Sequence, residues 1–405
     1  MNTPHTTTHS AWAILLMAAT LAAPKAQATP LATEPSSAIK ALNTSSTSNA
    51  LSTFNAHSAF NTHNTHNAFN ASSTLTADGN LPRGKASKKL RKAMTQYMQA
   101  LTDSSQNVES IMVVQHGKVV AEHWRGQGKA DVPHELWSVS KCFTSAAVGF
   151  AINEGKLRLD DKVVAFFPDL LPDTASANLS QMTVRHLLTM TCGHRTEVQT
   201  PWSEQANTHN WVRDFLAAPV PCTPGTHFRY NSVGTYMLSA IVQKVTGQKL
   251  VDYLTPRLFQ PLHIVGARWE ESPQGINCGG WGLWLKTEDL AKMGLFMLQK
   301  GRWNGRQLLP AAWYDEASSA IVLPAGATPQ PGQAVHSANS RRPDWTQGYG
   351  YQLWRCRHNS YRADGSYGQY ILVIPDKDAV IAVTAHLDDM QAELNLIWQY
   401  VWTAL

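Results

Sequence analysis

Two short strand patterns, residues 111–114 and 118–121, flank Gln115-His116-Gly117. Runs of that length around a glycine-containing turn predict a β-hairpin. From Ser138 the spacing becomes helical, with Phe143, Ala147, Phe150 and Ala151 apolar until Gly155 stops the run. Upstream, residues 86–101 form a basic amphipathic segment. Residues 153–301 read as helices separated by Pro and Gly, among them 183–192, 234–245 and 287–299. The last is expected to start on Thr287 as N-cap, with Glu288 and Asp289 in a first turn that favours negative charge. Strand patterns return at 350–356, 369–375 and 379–384, followed by an apolar helix from about Ala392. The order sheet, helices, sheet predicts an α+β fold. An antiparallel sheet built from both ends of the chain would be flanked by helices, with a mainly helical inserted subdomain at roughly 153–301 and a cleft between the two.

The first eighty residues change the picture at the N-terminus. An apolar run over residues 11–23 precedes Ala26-Gln27-Ala28, a small-x-small pattern that signal peptidases accept, so residues 1–28 are expected to be a signal peptide and the protein exported, periplasmic or secreted. The run is shorter than the roughly 20 apolar residues a membrane span needs, and no span is expected after signal removal. Residues 29–82 are rich in Ser, Thr, Asn and Ala, too polar to offset ordering entropy, and are expected to be a disordered linker. His57, His63 and His66 lie there without a Cys or carboxylate to complete a metal site. Residues 83–405 remain as the folded domain.

The chain carries 34 basic and 29 acidic residues, a net +5, with the cations dispersed. That excludes the basic stripe that phosphate backbones select, and no nucleic-acid partner is expected. Five cysteines stand at 142, 192, 222, 278 and 356, without metal-ligand spacing, and at least one is unpaired within the chain. Cys142, beside Lys141 in an apolar helix, is expected to be a packed free thiol.

Three elements carry chemistry. Ser138-Val139-Ser140-Lys141 lies in the first turn of the predicted helix, where residues three apart share a face, so Lys141 can lie against the Ser138 hydroxyl. A neutral lysine can accept the serine proton if burial or neighbouring cations depress its pKa. Ser37-Ala38-Ile39-Lys40 has the same form but opens no helix. The second element is Tyr230-Asn231-Ser232: a tyrosine near Lys141 can pass a proton between nucleophile and leaving group, its phenol pKa lowered by the adjacent ammonium. In the third, Ala363-Asp364-Gly365-Ser366-Tyr367-Gly368-Gln369 leads into a strand, and its glycines let a substrate lie against the strand edge with backbone N–H groups facing an oxyanion. No G-x-S-x-G elbow accompanies His134, His186, His194 or His227, which read as surface or core residues. Trp281 and Trp284, near Gly279-Gly280, read as core packing, and Ser176-Ala177-Asn178 as a chance S-x-N match.

Together with Asn153-Glu154-Gly155-Lys156-Leu157, Val184-Arg185-His186-Leu187-Leu188-Thr189-Met190 and Gly368-Gln369-Tyr370-Ile371, these elements resemble the serine β-lactamase and penicillin-binding superfamily over about residues 107–385. The likeness is to the Tyr-containing β-lactamase type, with its related esterases, D-amino-acid peptidases and 6-aminohexanoate-dimer-type hydrolases. The resemblance implies a β-lactamase/transpeptidase-like fold and a serine hydrolase that cleaves an ester, amide or short peptide-like substrate through an acyl-enzyme on Ser138. Lys141 and Tyr230 would share the acid–base work, and the N–H groups of Ser138 and Ser366 would form the oxyanion hole. No metal or organic cofactor is implied. Ser232, Ala363, Asp364 and Gly365 are the substrate-binding candidates. Two positions depart from the family pattern: Ser232 replaces an Asn and is expected to reach less far toward Lys141, and Ala363 replaces a Lys or His that holds a substrate carboxylate. The departures weigh against efficient β-lactam hydrolysis. They also admit a catalytically weak penicillin-binding-like module that binds peptidoglycan, while the family resemblance leaves a D-peptidase or β-lactamase as a further alternative.

Overall fold

A computed structural model describes residues 75–198, 209–324 and 343–405. The expected signal peptide, residues 29–74 of the expected linker, and the second S-x-x-K at Ser37 all lie outside the described residues.

The basic segment forms helix α1 (Lys88–Asp103), which opens with the Ser87 hydroxyl accepting the Leu90 N–H and buries Leu90, Ala93, Tyr97 and Leu101 along one face. The hairpin follows as β1 (Val108–Gln115) and β2 (Lys118–Trp124). Its two-residue turn, His116-Gly117, has φ of 50° and 72°, the left-handed pair that matches strand twist. A short strand β3 (His134–Glu135) precedes a 3₁₀ turn (Trp137–Val139) that runs into α2 (Ser140–Asn153). Helix α3 (Ser232–Thr246) packs on α2. Strands β4 (Arg268–Trp269) and β5 (Leu283–Leu285) join β3 in a small sheet ordered β3-β5-β4, and α4 (Thr287–Leu298) comes next. The chain closes with β6 (Trp354–Arg355), β7 (Tyr361–Gly365), β8 (Gln369–Ile374), β9 (Ala379–Ala385) and α5 (Met390–Leu396).

The main sheet has six strands in the order β2-β1-β9-β8-β7-β6, so both ends of the chain build it, as the pattern predicted. All its pairs are antiparallel, with Ile111 opposite Val383 and Val383 opposite Tyr370. Period-2 alternation divides two cores. Met112, Val114, Ile371, Val373, Val380 and Ala382 face α2 and α4. Ile111, Val113, Tyr370, Leu372, Ile381 and Val383 face α1 and the C-terminal helix. Each fully buried Val, Leu, Ile or Met among them contributes roughly 1.5–3 kcal/mol. No helix among the described residues is long and apolar enough to cross a membrane.

Four details differ from the sequence reading. Residues 75–82 fold onto the domain: Leu81 is fully buried, its N–H donates to Glu288, and Arg83 bridges Glu122 and Glu288, so the folded part begins before residue 83. Helix α4 belongs to the sheet layer and not to the helical insertion. Gly294 lets it approach, since a Cβ there would stand 2.3 Å from Val380. Thr287 is its first helical residue and hydrogen-bonds Ser110, while Lys286 occupies the cap, its N–H held by Asp289. The strand expected over 350–356 shrinks to Trp354–Arg355, because the chain turns at Gln352 (φ 65°), whose buried amide binds the carbonyls of Leu187 and Leu188.

Candidate active site

The 3₁₀ turn presents Ser138 where the main sheet, the small sheet and α2 meet. Strand β5 fixes this turn from the side: Leu136 N–H donates to the Leu283 carbonyl, and Leu283 N–H donates to the Ser140 hydroxyl. Lys141, in the first turn of α2, is 1% exposed. Its Nζ donates to Ser138 Oγ at 2.9 Å, to the Gly280 carbonyl at 2.6 Å and to Ser232 Oγ at 3.3 Å. Burial pulls its pKa down to about 7, although the charges of Glu197 and Asp364 oppose the shift. With the proton removed, two N–H groups still serve Gly280 and Ser232, and the lone pair faces the Ser138 hydroxyl.

The second element is divided by the start of α3. Asn231 is the N-cap and accepts the Gly234 N–H, which leaves Tyr230 on the loop side and Ser232 as the first helical residue. The Tyr230 ring centre is 4.9 Å from Lys141 Nζ, and the ring stacks on Trp354 at 5.8 Å. Its phenol is held well above the ordinary value by burial and by the Asp364 carboxylate. The expected lowering by an adjacent ammonium is therefore overturned: at neutral pH the group is a phenol, a donor and not a base. Ser232, although shorter than the Asn of the family pattern, reaches Lys141, because α3 starts at Ser232 itself and brings its hydroxyl to 3.3 Å from Nζ.

Strand β7 brings the third element beside Ser138. Gly365 is where it comes closest, since a Cβ there would meet the Leu136 carbonyl at 2.3 Å and Trp137 Cβ at 3.1 Å. Ser366 follows directly, with an exposed side chain. Ala363 is not in the cleft: it pairs with Ile371, and its methyl is buried in the core on the α2 side. Position 364 acts on the site instead. The Asp364 carboxylate bears electrostatically on both Lys141 and Tyr230, and its Oδ2 accepts two hydrogen bonds from Arg362, at 2.8 and 3.1 Å. Arg362 is fully buried against Trp345 and donates also to the Asp344 carbonyl and Cys356 Sγ, so its charge is engaged.

Two contributors escaped the sequence reading. Gly280 supplies the shortest hydrogen bond to Lys141, and a Cβ on it would lie 2.6 Å from the Ser232 carbonyl. The glycine pair beside Trp281 was its only signal. Glu197 accepts the Ser232 N–H at the start of α3 and acts on Lys141 and Tyr230, without any motif of its own. Ser176 and Asn178 are structural: the one caps a short helix and the other binds the Val220 carbonyl. Trp281 is core, and Trp284 lies under Arg268. His194 is buried against Phe215. All five cysteines are free, Cys142 in the core. Among the described residues no group of three His, Cys, Asp or Glu could hold a metal ion.

Comparison with known proteins agrees with this fold. A family model described as Beta-lactamase matches residues 90–404. Protein flp of Staphylococcus aureus (strain MRSA252) is 28% identical over 177 residues, covering 40% of this chain and 35% of that protein, so the chain spans about a third of the length of this curated relative. Among solved structures, EstCE1, described as a hydrolase with promiscuous acyltransferase activity, superposes with a TM-score of 0.62 at 18% identity, covering 78% of this chain and 99% of that one. A penicillin-binding protein homologue from Caulobacter crescentus gives 0.60 at 15% identity, with 80% and 99% covered. The α+β architecture is thus of the β-lactamase/transpeptidase type, and the chain belongs to the β-lactamase family, within the general class of serine hydrolases.

Proposed function

We propose that the protein cleaves small esters or amides through an acyl-enzyme on Ser138. The observation that carries this reading is the buried Lys141, able to be neutral near pH 7, with its Nζ 2.9 Å from the Ser138 hydroxyl. Neutral Lys141 takes the serine proton as Oγ bonds to the substrate carbonyl carbon. The resulting oxyanion is received by the N–H groups of Ser138 and Ser366; a donor in that place is worth about 10² to 10³ in rate. The phenol of Tyr230 gives its proton to the leaving alkoxide or amine and is reprotonated from Lys141, which restores both groups. Water then attacks the acyl-enzyme by the same route, releasing the acid and freeing Ser138.

Neutral or amine-bearing substrates suit the site better than β-lactams. The position where the family pattern has a cation is a buried alanine, and the neighbouring arginine is paired with Asp364, so neither supplies a free positive charge for a substrate carboxylate. The likeness to EstCE1 supports an acyl-transfer chemistry of this kind. The test compares kcat/KM for 4-nitrophenyl butyrate and nitrocefin, with stopped-flow detection of a nitrophenol burst. A burst on the ester with weaker nitrocefin turnover is expected. Efficient nitrocefin turnover would overturn the substrate assignment, and loss of all ester turnover would favour the binding-module alternative.

A further inference from the structure

Trp137 and Tyr367 are the residues next to Ser138 and Ser366, and both are held in a conformation that L-residues rarely adopt. Their φ angles are 48° and 66°. The two rings meet edge to face with centres 5.4 Å apart and planes at 67°, although 230 residues of sequence separate them. Tyr367 is supported from behind: its ring stacks on His386 at 4.6 Å and 6°, and its carbonyl accepts the Leu387 N–H at 2.9 Å. His386 N–H in turn donates to the Asn107 carbonyl, which ties the support to the segment entering β1. Neither ring is fully buried, so core burial alone does not account for two strained aromatic residues at these two positions.

We propose that Trp137 and Tyr367 are positioning residues, an aromatic clamp that fixes the separation of the Ser138 and Ser366 N–H groups. The inference rests on the acyl-enzyme reading above, in which those two groups receive the oxyanion. The turn carrying Ser138 and the strand carrying Ser366 already approach closely at Gly365. Packing at Gly365 sets how near the segments come, and the ring pair joins the residue before Ser138 to the residue after Ser366. The left-handed backbone of Trp137 directs the N–H of Ser138, which follows it, and the ring of Tyr367 anchors the chain directly after Ser366 against that turn. Preorganised donors act on the charge formed in the transition state and little on the bound ester, so the clamp affects turnover and not affinity.

The test uses full-length protein, 4-nitrophenyl butyrate as substrate and an aryl trifluoromethyl ketone, whose serine adduct carries the oxyanion. Tyr367→Ala and Tyr367→Leu are expected to lower kcat about ten- to a hundredfold with KM within about twofold, and to weaken the ketone by the same factor. Tyr367→Phe keeps the ring and is expected to stay near wild type in both readouts. Trp137→Ala repeats the loss, and the double variant Trp137→Ala/Tyr367→Ala is little worse than either alone, because the rings act as one unit. Melting temperatures identify any variant that has lost its fold, in which case Tyr367→Leu against Tyr367→Phe decides. Unchanged kcat and ketone affinity in Tyr367→Leu, or a loss confined to KM, would overturn the clamp. Failure of the underlying reading is distinguishable, since Ser138→Ala would then still turn over the ester.

Discussion

The Gly280 carbonyl accepts a 2.6 Å hydrogen bond from Lys141, the shortest of the three that hold the lysine in its pocket. Gly280 can do so because it has no side chain, as a Cβ would stand 2.6 Å from the Ser232 carbonyl. Gly280→Ala is therefore expected to push this segment away from the start of α3 and loosen both contacts that orient Nζ. A misplacement of about 1 Å at a reacting group can cost about a hundredfold, so kcat should fall by ten- to a hundredfold. Steady-state kinetics check this, and an unchanged kcat in a folded variant would remove Gly280 from the site.

The protonation of Lys141 sets the pH dependence. Burial brings its pKa down from the ordinary 10.5 to about 7, and the base form is the neutral one. For a neutral ester, kcat/KM should therefore rise with pH through a midpoint near 7 to a plateau. The raised phenol of Tyr230 keeps its proton throughout that range. A profile flat from pH 5.5 to 8.5 would exclude Lys141 as the base.

Asp364→Asn has two separable effects. It leaves the fully buried Arg362 without its carboxylate, a loss of about 3–5 kcal/mol for a broken buried pair, seen as a fall in melting temperature. It also removes a charge that holds Lys141 protonated, so the midpoint of the kcat/KM profile should move to lower pH. An upward shift would contradict the placement of Asp364. Ala363→Lys, by contrast, buries a charge in the core and should destabilise the protein without creating a carboxylate-binding site.

Gly365→Ala tests the approach of β7 to the turn carrying Ser138. Its Cβ would meet the Leu136 carbonyl at 2.3 Å, so the strand must retreat. Such overpacking typically costs about 1–3 kcal/mol, and the retreat also separates Ser366 from Ser138. Thermal unfolding and kcat should both fall; a variant as stable and as active as the wild type would show that the contact is not needed.

Local pattern revealed the hairpin, α2, β8, β9 and the sheet built from both ends of the chain, since each has a clean period or turn signal. The family resemblance singled out Ser138, Lys141 and Tyr230, and the fold brings these three side chains together. What local pattern missed depends on direction and on distant contacts. Ala363 and Asp364 are adjacent, and that Ala363 packs into the core follows from strand register, visible only once it is paired with Ile371. That Ser232 reaches Lys141 depends on where α3 begins, which the motif alone does not give. Glu197 and Gly280 act through one carboxylate and one backbone carbonyl, and neither leaves a mark in composition. Helix α4 lay within the helical stretch of the sequence, yet Gly294 seats it on the sheet.

The central claim is that Ser138 is the acylated residue. Intact-mass spectrometry after reaction with a fluorophosphonate probe measures it most directly, comparing the native protein with Ser138→Ala and locating the adduct by peptide mapping. One adduct per chain on Ser138, absent from a folded Ser138→Ala variant with ester turnover reduced at least about 10⁴-fold, is the predicted result. An adduct on another residue, or labelling that persists in Ser138→Ala, would contradict it.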